Sequence, residues 1–113
     1  MDHALRAIGE PRRREILRLL LRGELPAGAI ADRFRDVTRP AISQHLRVLK
    51  DAGLVAERRD GTRRLYRLQP EQLGRVRAYL DAFWGDRLEA LRERAEQEAR
   101  GRRPGGRKLD RRS

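Results

Sequence analysis

The 113-residue sequence contains no cysteine and only five aromatic residues. Without cysteine the chain has no disulfide, no thiolate metal site and no cysteine nucleophile. Its longest apolar run, Ile16 to Leu21, covers six residues and is interrupted by Arg18, whereas a membrane-spanning helix needs about 18 apolar residues. The amino terminus also lacks the basic start and long apolar stretch of a secretory signal. We therefore expect a cytoplasmic protein with no membrane partner.

Charge is abundant and unevenly distributed. Charged residues make up 40% of the chain, and the net charge is +11. Residues 1–69 carry 16 Lys and Arg against 9 Asp and Glu, residues 101–113 carry 6 against 1, and the stretch between them is nearly neutral. This separation favours a protein whose basic segments bind an anion, while the nearly neutral segment between them has a different function. A solvated surface encoded by an arginine-biased genome would explain the composition equally well, because 26 of the 28 basic residues are arginine.

The spacing of apolar residues predicts four helices, a hairpin and a final long helix. The first two helices cover residues 2–8 and 11–21, and the third opens at Pro26 and carries Ile30, Ala31 and Phe34. The fourth is capped by Thr38 and ended by Gly53. Asp60-Gly61 predicts a two-residue turn between strands at 54–59 and 62–68, and residues 70–100 follow as a helix. This order predicts a mainly α (α+β) winged helix-turn-helix with a two-stranded β wing and a long C-terminal dimerisation helix. Residues 1–100 would form the DNA-binding and dimerisation domain, and residues 101–113 a disordered basic tail.

The fourth predicted helix has two different faces. Ile42, Leu46 and Leu49 lie on one side and should face the core, whereas Arg, Ser and Gln occupy the other side. Arginine recognises guanine and glutamine recognises adenine in the DNA major groove, and a helix N-terminus favours phosphate. The pattern is therefore typical of a recognition helix. An ordinary solvent-facing helix would also explain the polarity.

The predicted turn fixes a register for the hairpin. It pairs Arg59 with Thr62, Arg58 with Arg63, Glu57 with Arg64, and Val55 with Tyr66. Two opposed arginines destabilise a hairpin unless an anion lies between them, and a DNA phosphate would be such an anion. The alternative is that no anion is bound, and that the two long arginine side chains avoid each other by pointing into water. Glu57 opposite Arg64 predicts a simple cross-strand ion pair.

Three runs of sequence resemble the ArsR family of bacterial transcriptional repressors. They are residues 11–20, residues 39–49, and Ala52-Gly53-Leu54-Val55 with the Arg-Asp-Gly wing and Tyr66 that follow. The resemblance spans roughly residues 4–95. It implies that Arg39, Pro40, Ser43 and Gln44 face the groove, and that the first and last helices form a homodimer.

The same resemblance argues against metal sensing. Metal-sensing members use cysteines near the third helix, or histidine and carboxylate ligands on the last helix. This chain has no cysteine, and its two histidines are His3 and His45. His45 lies at the edge of the apolar arc of the fourth helix, so we expect it to be packed or to act as a cap.

Large apolar residues on the last helix would be exposed to water unless another surface buries them, and a second copy of the chain most often provides that surface. Packing onto the monomer's own core is the alternative. The residues predicted for dimerisation are Leu5, Ile8, Leu80, Phe83 and Trp84.

The sequence predicts a DNA-binding transcriptional regulator, a homodimeric repressor whose partner is double-stranded DNA with an inverted-repeat operator. The residues predicted to bind DNA are Thr38, Arg39, Pro40, Ser43, Gln44, Arg47, Arg58, Arg59 and Arg63. No catalytic residue, metal site or cofactor is predicted, and the sequence does not identify an effector. A non-sequence-specific architectural nucleic-acid-binding protein and a winged-helix protein-interaction module are the alternatives. An enzyme is least supported, because the sequence lacks a phosphate-cradling glycine loop, a nucleophile elbow and a metal-ligand cluster.

Overall fold

The computed structural model describes residues 1–101, and its elements follow the predicted order with one further strand. In chain order the elements are α1 (Asp2–Ile8), α2 (Pro11–Leu20), β1 (Leu25–Pro26), α3 (Ala27–Ala31), α4 (Arg39–Asp51), β2 (Val55–Asp60), β3 (Arg63–Leu68) and α5 (Pro70–Gly101). Residues 1–77 form one compact unit, and a second unit begins at Ala78 within α5. Apart from Gly101, which ends α5, the predicted basic tail lies outside the described residues.

Local capping explains why α4 begins and ends where it does. The Thr38 hydroxyl accepts a hydrogen bond from the backbone N–H of Ala41 at 3.2 Å, as the predicted N-cap requires. At the other end Gly53 adopts a φ of 77°, the left-handed conformation that glycine tolerates best. This conformation lets the N–H of Gly53 donate to the Lys50 carbonyl at 2.9 Å, and the N–H of Leu54 donate to the Leu49 carbonyl at 3.0 Å. Both ends of α4 are thus fixed by local sequence.

The third predicted helix is shorter than its apolar residues suggested. It ends at Ala31, and Phe34 is buried in the turn that follows rather than on the helix. Arg12 on α2 lies over the Phe34 ring at 5.8 Å and also pairs with Asp36 in the same turn. The turn between α3 and α4 is therefore attached to α2.

The sheet has three strands in the order β1-β3-β2, and both pairings are antiparallel. The strand β1 pairs Leu25 with Tyr66 and Pro26 with Leu65. Sequence reasoning missed β1 because two residues, one of them proline, carry no alternation pattern. The wing is thereby joined to the segment that leads into α3.

The predicted hairpin register is wrong by two residues. In the structure Arg58 lies opposite Leu65, Arg59 opposite Arg64, and Asp60 opposite Arg63. Glu57 is opposite Tyr66, and Val55 is opposite Leu68. Because Asp60 pairs with Arg63, the two-residue loop is Gly61-Thr62. Its first residue, Gly61, has a φ of 66°, and among the described residues only glycines have a positive φ. The predicted turn at Asp60-Gly61 would have required a positive φ at Asp60 as well.

The core of the first unit lies between the helices and the sheet. Its largest fully buried side chains are Ile16, Ile30, Ile42, Leu46, Leu49, Leu54 and Val55. The predicted apolar face of α4 is confirmed, since all three of its leucine and isoleucine side chains are at most 1% exposed. In the part of the chain that the structure describes, no helix combines the length and apolarity needed to cross a membrane.

Candidate nucleic-acid interface

The polar face of α4 is open to solvent. Ser43, Gln44 and Arg47 are exposed, and they lie on the side of α4 away from its buried residues. The Arg47 side chain has no hydrogen bond or ion pair with any residue of 1–101. This face therefore combines amide, hydroxyl and guanidinium groups that can bind base edges or phosphates.

The first turn of α4 adds a second set of exposed groups. Thr38, Arg39 and Pro40 all lie at the surface there. The Arg39 guanidinium donates to the Asp32 carboxylate at 2.8 Å, and both side chains are more than two-thirds exposed. Such an exposed pair is weak, so Arg39 can exchange Asp32 for a base or a phosphate at small cost.

The three predicted wing arginines have different surroundings. Arg58 donates two hydrogen bonds to the Glu24 carboxylate, at 2.7 and 2.8 Å. These bonds hold the pKa of Glu24 below its ordinary value. Arg63 donates to Asp60 at 3.1 Å across the turn. The Arg59 side chain is exposed and has no hydrogen bond or ion pair within residues 1–101, so its charge is the freest of these three.

The corrected register removes the argument that Arg58 and Arg63 face one another. The directly opposed arginines are instead Arg59 and Arg64. Their repulsion is reduced because the Arg64 Nε lies 3.4 Å from the Glu57 carboxylate. The predicted ion pair between Glu57 and Arg64 is therefore present, but it runs diagonally across the strands rather than directly.

The predicted pair of Glu57 with Arg64 belongs to a larger charged cluster between α4 and the wing, and sequence reasoning missed its other members. Glu57 accepts hydrogen bonds from the Lys50 ammonium at 2.8 Å and from the Tyr66 hydroxyl at 3.3 Å, beside Arg64. The bond from Lys50 holds the pKa of Glu57 below its ordinary value and raises the pKa of Lys50. Burial raises the pKa of the Tyr66 hydroxyl. The cluster lines a cleft of about 310 Å³, which Ser43 and Arg47 also line. The spacing of Ser43, Arg47 and Lys50, at i, i+4 and i+7, was the available signal.

The partly buried basic run of α2 bonds to neighbouring elements of the fold. Arg13 donates to the Ala7 carbonyl at 2.7 Å, and Arg14 donates to the Ile8 carbonyl at 2.8 Å. Together with the contact of Arg12 on Phe34, these bonds fasten α1 and the turn before α4 to α2. This part of the positive charge thus has a structural role.

His45 is packed, as the sequence predicted. Its side chain is 19% exposed, its Nε2 lies 3.3 Å from the Glu10 carboxylate, and its Nδ1 lies 3.3 Å from the Arg13 guanidinium. Glu10 is also the N-cap of α2, where it accepts from the backbone N–H of Arg12 at 2.9 Å. Across residues 1–101, no three histidine or carboxylate side chains gather in a way that could hold a metal ion.

The second unit presents large apolar side chains to solvent on α5. Tyr79 and Phe83 stack with ring centroids 6.4 Å apart, and Phe83 meets Trp84 edge-on at 5.3 Å. The exposed fractions of Tyr79, Leu80, Phe83, Trp84, Leu88 and Leu91 range from 36% to 55%. In the first unit, by contrast, Leu5 and Ile8 of α1 are half-buried against the core.

Comparisons with known proteins identify this arrangement. A family model described as a helix-turn-helix domain matches residues 8–58. The HTH-type transcriptional regulator Rv2034 of Mycobacterium tuberculosis is 48% identical over 83 residues, which cover 74% of this chain and 77% of the relative. The transcriptional repressor SdpR of Bacillus subtilis is 43% identical over 54% of this chain and 67% of the relative.

Two solved structures share the fold as well as the sequence. One is described as a possible transcriptional regulator for arsenical resistance, with a TM-score of 0.71 and 46% identity, covering 80% of this chain and 93% of that one. The other is the homodimeric winged helix-turn-helix DNA-binding domain Mb0332 of Mycobacterium bovis, described as a possible ArsR-family regulator. It has a TM-score of 0.60 and 35% identity, covering 79% of this chain and 82% of that one.

The chain belongs to the ArsR family of winged helix-turn-helix transcriptional regulators. Within this family it is a DNA-binding regulator of transcription, as the sequence predicted. The matched stretch of the helix-turn-helix model runs from the end of α1 into β2, and it therefore includes all of α4.

Proposed function

We propose that this ArsR-family chain is a homodimeric repressor in which α4 reads an inverted-repeat operator and the wing contacts the flanking phosphates. The observation that carries the proposal is the division of α4 into a fully buried apolar face and an exposed face of Ser43, Gln44 and Arg47. A helix held by one face on a core can present its other face to a major groove without rearrangement. The N-terminal turn adds Arg39, which can donate two hydrogen bonds to one guanine.

The proposed dimer brings two such helices to one DNA molecule. Exposed aromatic and leucine side chains on α5 support it, because burial of Phe83 and Trp84 against a second copy removes apolar surface from water. The described homodimer of Mb0332 supports the same assembly. Leu5 and Ile8 would contribute at the margin, since both already pack on the core of their own subunit. Two-fold symmetry of the protein would then require a two-fold repeat in the operator.

Selection from a random duplex library tests the proposal directly. The purified protein should enrich an inverted repeat, and it should bind that repeat at least about a thousandfold more tightly than random DNA. Arg39→Ala or Gln44→Ala should weaken binding to the repeat by about 1–3 kcal/mol and binding to random DNA by much less. Arg18→Ala, which removes an exposed arginine of α2, is the control and should leave the preference unchanged.

Equal losses on the repeat and on random DNA would show that these side chains contact only the backbone. Failure to enrich any sequence would favour the architectural alternative, in which charge alone binds nucleic acid.

A further inference from the structure

One carboxylate joins the recognition helix to the wing. Glu57 lies on β2 with its side chain 18% exposed, and its Oε1 accepts from Lys50 in the last turn of α4 at 2.8 Å. Its Oε2 accepts from the Tyr66 hydroxyl at 3.3 Å and lies 3.4 Å from the Arg64 Nε, and both partners are on β3. A single side chain of β2 therefore contacts both α4 and β3, the other strand of the wing.

These bonds add a directional constraint to that of packing. Interlocked side chains limit the angle between α4 and β2, but the hydrophobic attraction that holds the two elements together is itself non-directional. The bond from Lys50, at 2.8 Å, has the short length of a charge-assisted hydrogen bond, and hydrogen bonds prefer a defined geometry. At 18% exposure the Glu57 carboxylate is also screened less by solvent than the carboxylate of Asp32 in its pair with Arg39, which is 68% exposed.

We propose that Glu57 is a positioning residue that fixes the angle between α4 and the wing, and thereby determines how well α4 distinguishes its operator from other DNA. The proposal rests on the proposed function, in which α4 reads bases while the wing contacts the backbone. When the wing is seated on phosphates, a change in this angle misaligns every side chain of α4 with its base. Affinity for random DNA needs no such alignment, because it comes from phosphate contacts.

A purely electrostatic role makes a different prediction. Lys50 and Arg64 are about half exposed, so loss of the Glu57 charge would free two cations beside the cleft. If charge were the whole effect, Glu57→Gln would strengthen binding to operator and random DNA by the same factor. If Glu57 positions α4, the ratio of the two affinities falls while binding to random DNA does not weaken.

The experiment measures both affinities by fluorescence anisotropy for wild type, Glu57→Gln, Lys50→Met and the double variant, using the repeat selected above and a random duplex. We expect each single variant to lower the ratio of affinities by about tenfold, as when one base contact is weakened. The double variant should lower the ratio no further, because both changes break the same link. The Gln side chain of Glu57→Gln keeps the shape of the original, and its amide oxygen can still accept a hydrogen bond from Tyr66. Thermal unfolding will verify that each variant is folded.

Glu89→Gln is the matched control. It removes the same charge from a carboxylate that is paired with Arg92 at 2.7 Å on α5, and its ratio should stay within about twofold of wild type. A Glu57→Gln ratio equal to wild type would overturn the proposal and leave the function intact, and so would additive losses in the double variant. A wild-type protein that does not distinguish the repeat from random DNA would instead overturn the proposed function.

Discussion

Replacing Arg59 should change the salt dependence of DNA binding and replacing Arg58 should not, although the two arginines are adjacent on β2. The Arg59 side chain is exposed and has no hydrogen bond or ion pair within residues 1–101, so it can neutralise a phosphate directly. Arg58 already donates two hydrogen bonds to Glu24, at 2.7 and 2.8 Å. Bidentate pairs of this kind are stronger than single contacts, so we expect the Arg58 pair to persist on DNA.

The magnitude follows from counterion release. Each phosphate contact contributes about 0.9 to the slope of log K against log salt on B-form DNA, and a dimer carries two copies of each arginine. Arg59→Gln should therefore make the slope shallower by about 1.8, whereas Arg58→Gln should leave it almost unchanged. Glu24→Gln supplies the complement, because it releases Arg58 and should steepen the slope by up to about 1.8.

Fluorescence anisotropy of a labelled random duplex, titrated at several salt concentrations between about 50 and 200 mM, measures these slopes. Wild type and the three variants should be compared in the same buffer, after urea unfolding has verified that each is folded. A slope for Arg58→Gln as shallow as that for Arg59→Gln would refute the reasoning. It would mean that the Arg58–Glu24 pair opens when the protein binds.

Three further predictions concern stability and assembly. Gly53→Ala should cost about 1–2 kcal/mol in urea unfolding, because Gly53 has a φ of 77° that alanine adopts poorly; an unchanged unfolding midpoint would contradict this. The bond from Lys50 lowers the folded-state pKa of Glu57. The contribution of this bond to the stability of the fold is therefore complete above the unfolded-state pKa of Glu57, and it is lost as pH falls through the folded-state pKa. Urea unfolding of Glu57→Gln should therefore be less sensitive than wild type to acidification below about pH 4.3, and equal sensitivity would show that the pair does not contribute. Replacing Phe83 and Trp84 together by serine should yield a monomer in sedimentation experiments and weaken operator binding, whereas a dimer of unchanged mass would show that these rings lie outside the interface.

Local signals in the sequence were sufficient to predict α4. Its N-cap at Thr38, its terminal Gly53 and the spacing of its buried residues all act within one element, and all three are confirmed. The order of the larger elements followed from the same kind of signal. The family resemblance added the expectation of a dimer, and the similar domain Mb0332 is described as homodimeric.

Features that depend on distant residues were not predictable in this way. The strand β1 exists because it pairs with β3, about 40 residues later in the chain. The pair of Arg58 with Glu24 joins residues 34 apart, and no local pattern indicates it. The register error had a different cause, since the Asp-Gly signal allowed more than one turn type and the conformation of Asp60 decided between them. The contacts of individual side chains with bases stay predictions, and the variants at Arg39 and Gln44 test them.

The two outer strands of the sheet also protect the protein against edge-to-edge pairing of strands from different molecules. An open strand edge can pair with a strand of another molecule and begin aggregation. Here one edge is the two-residue strand β1, whose Pro26 has no backbone N–H to offer. The other edge is β2, which ends in the charged residues Arg58, Arg59 and Asp60. The side chains that make the wing suitable for an anion thus also discourage an incoming strand, so concentrated solutions of this basic protein should resist β-aggregation through the wing.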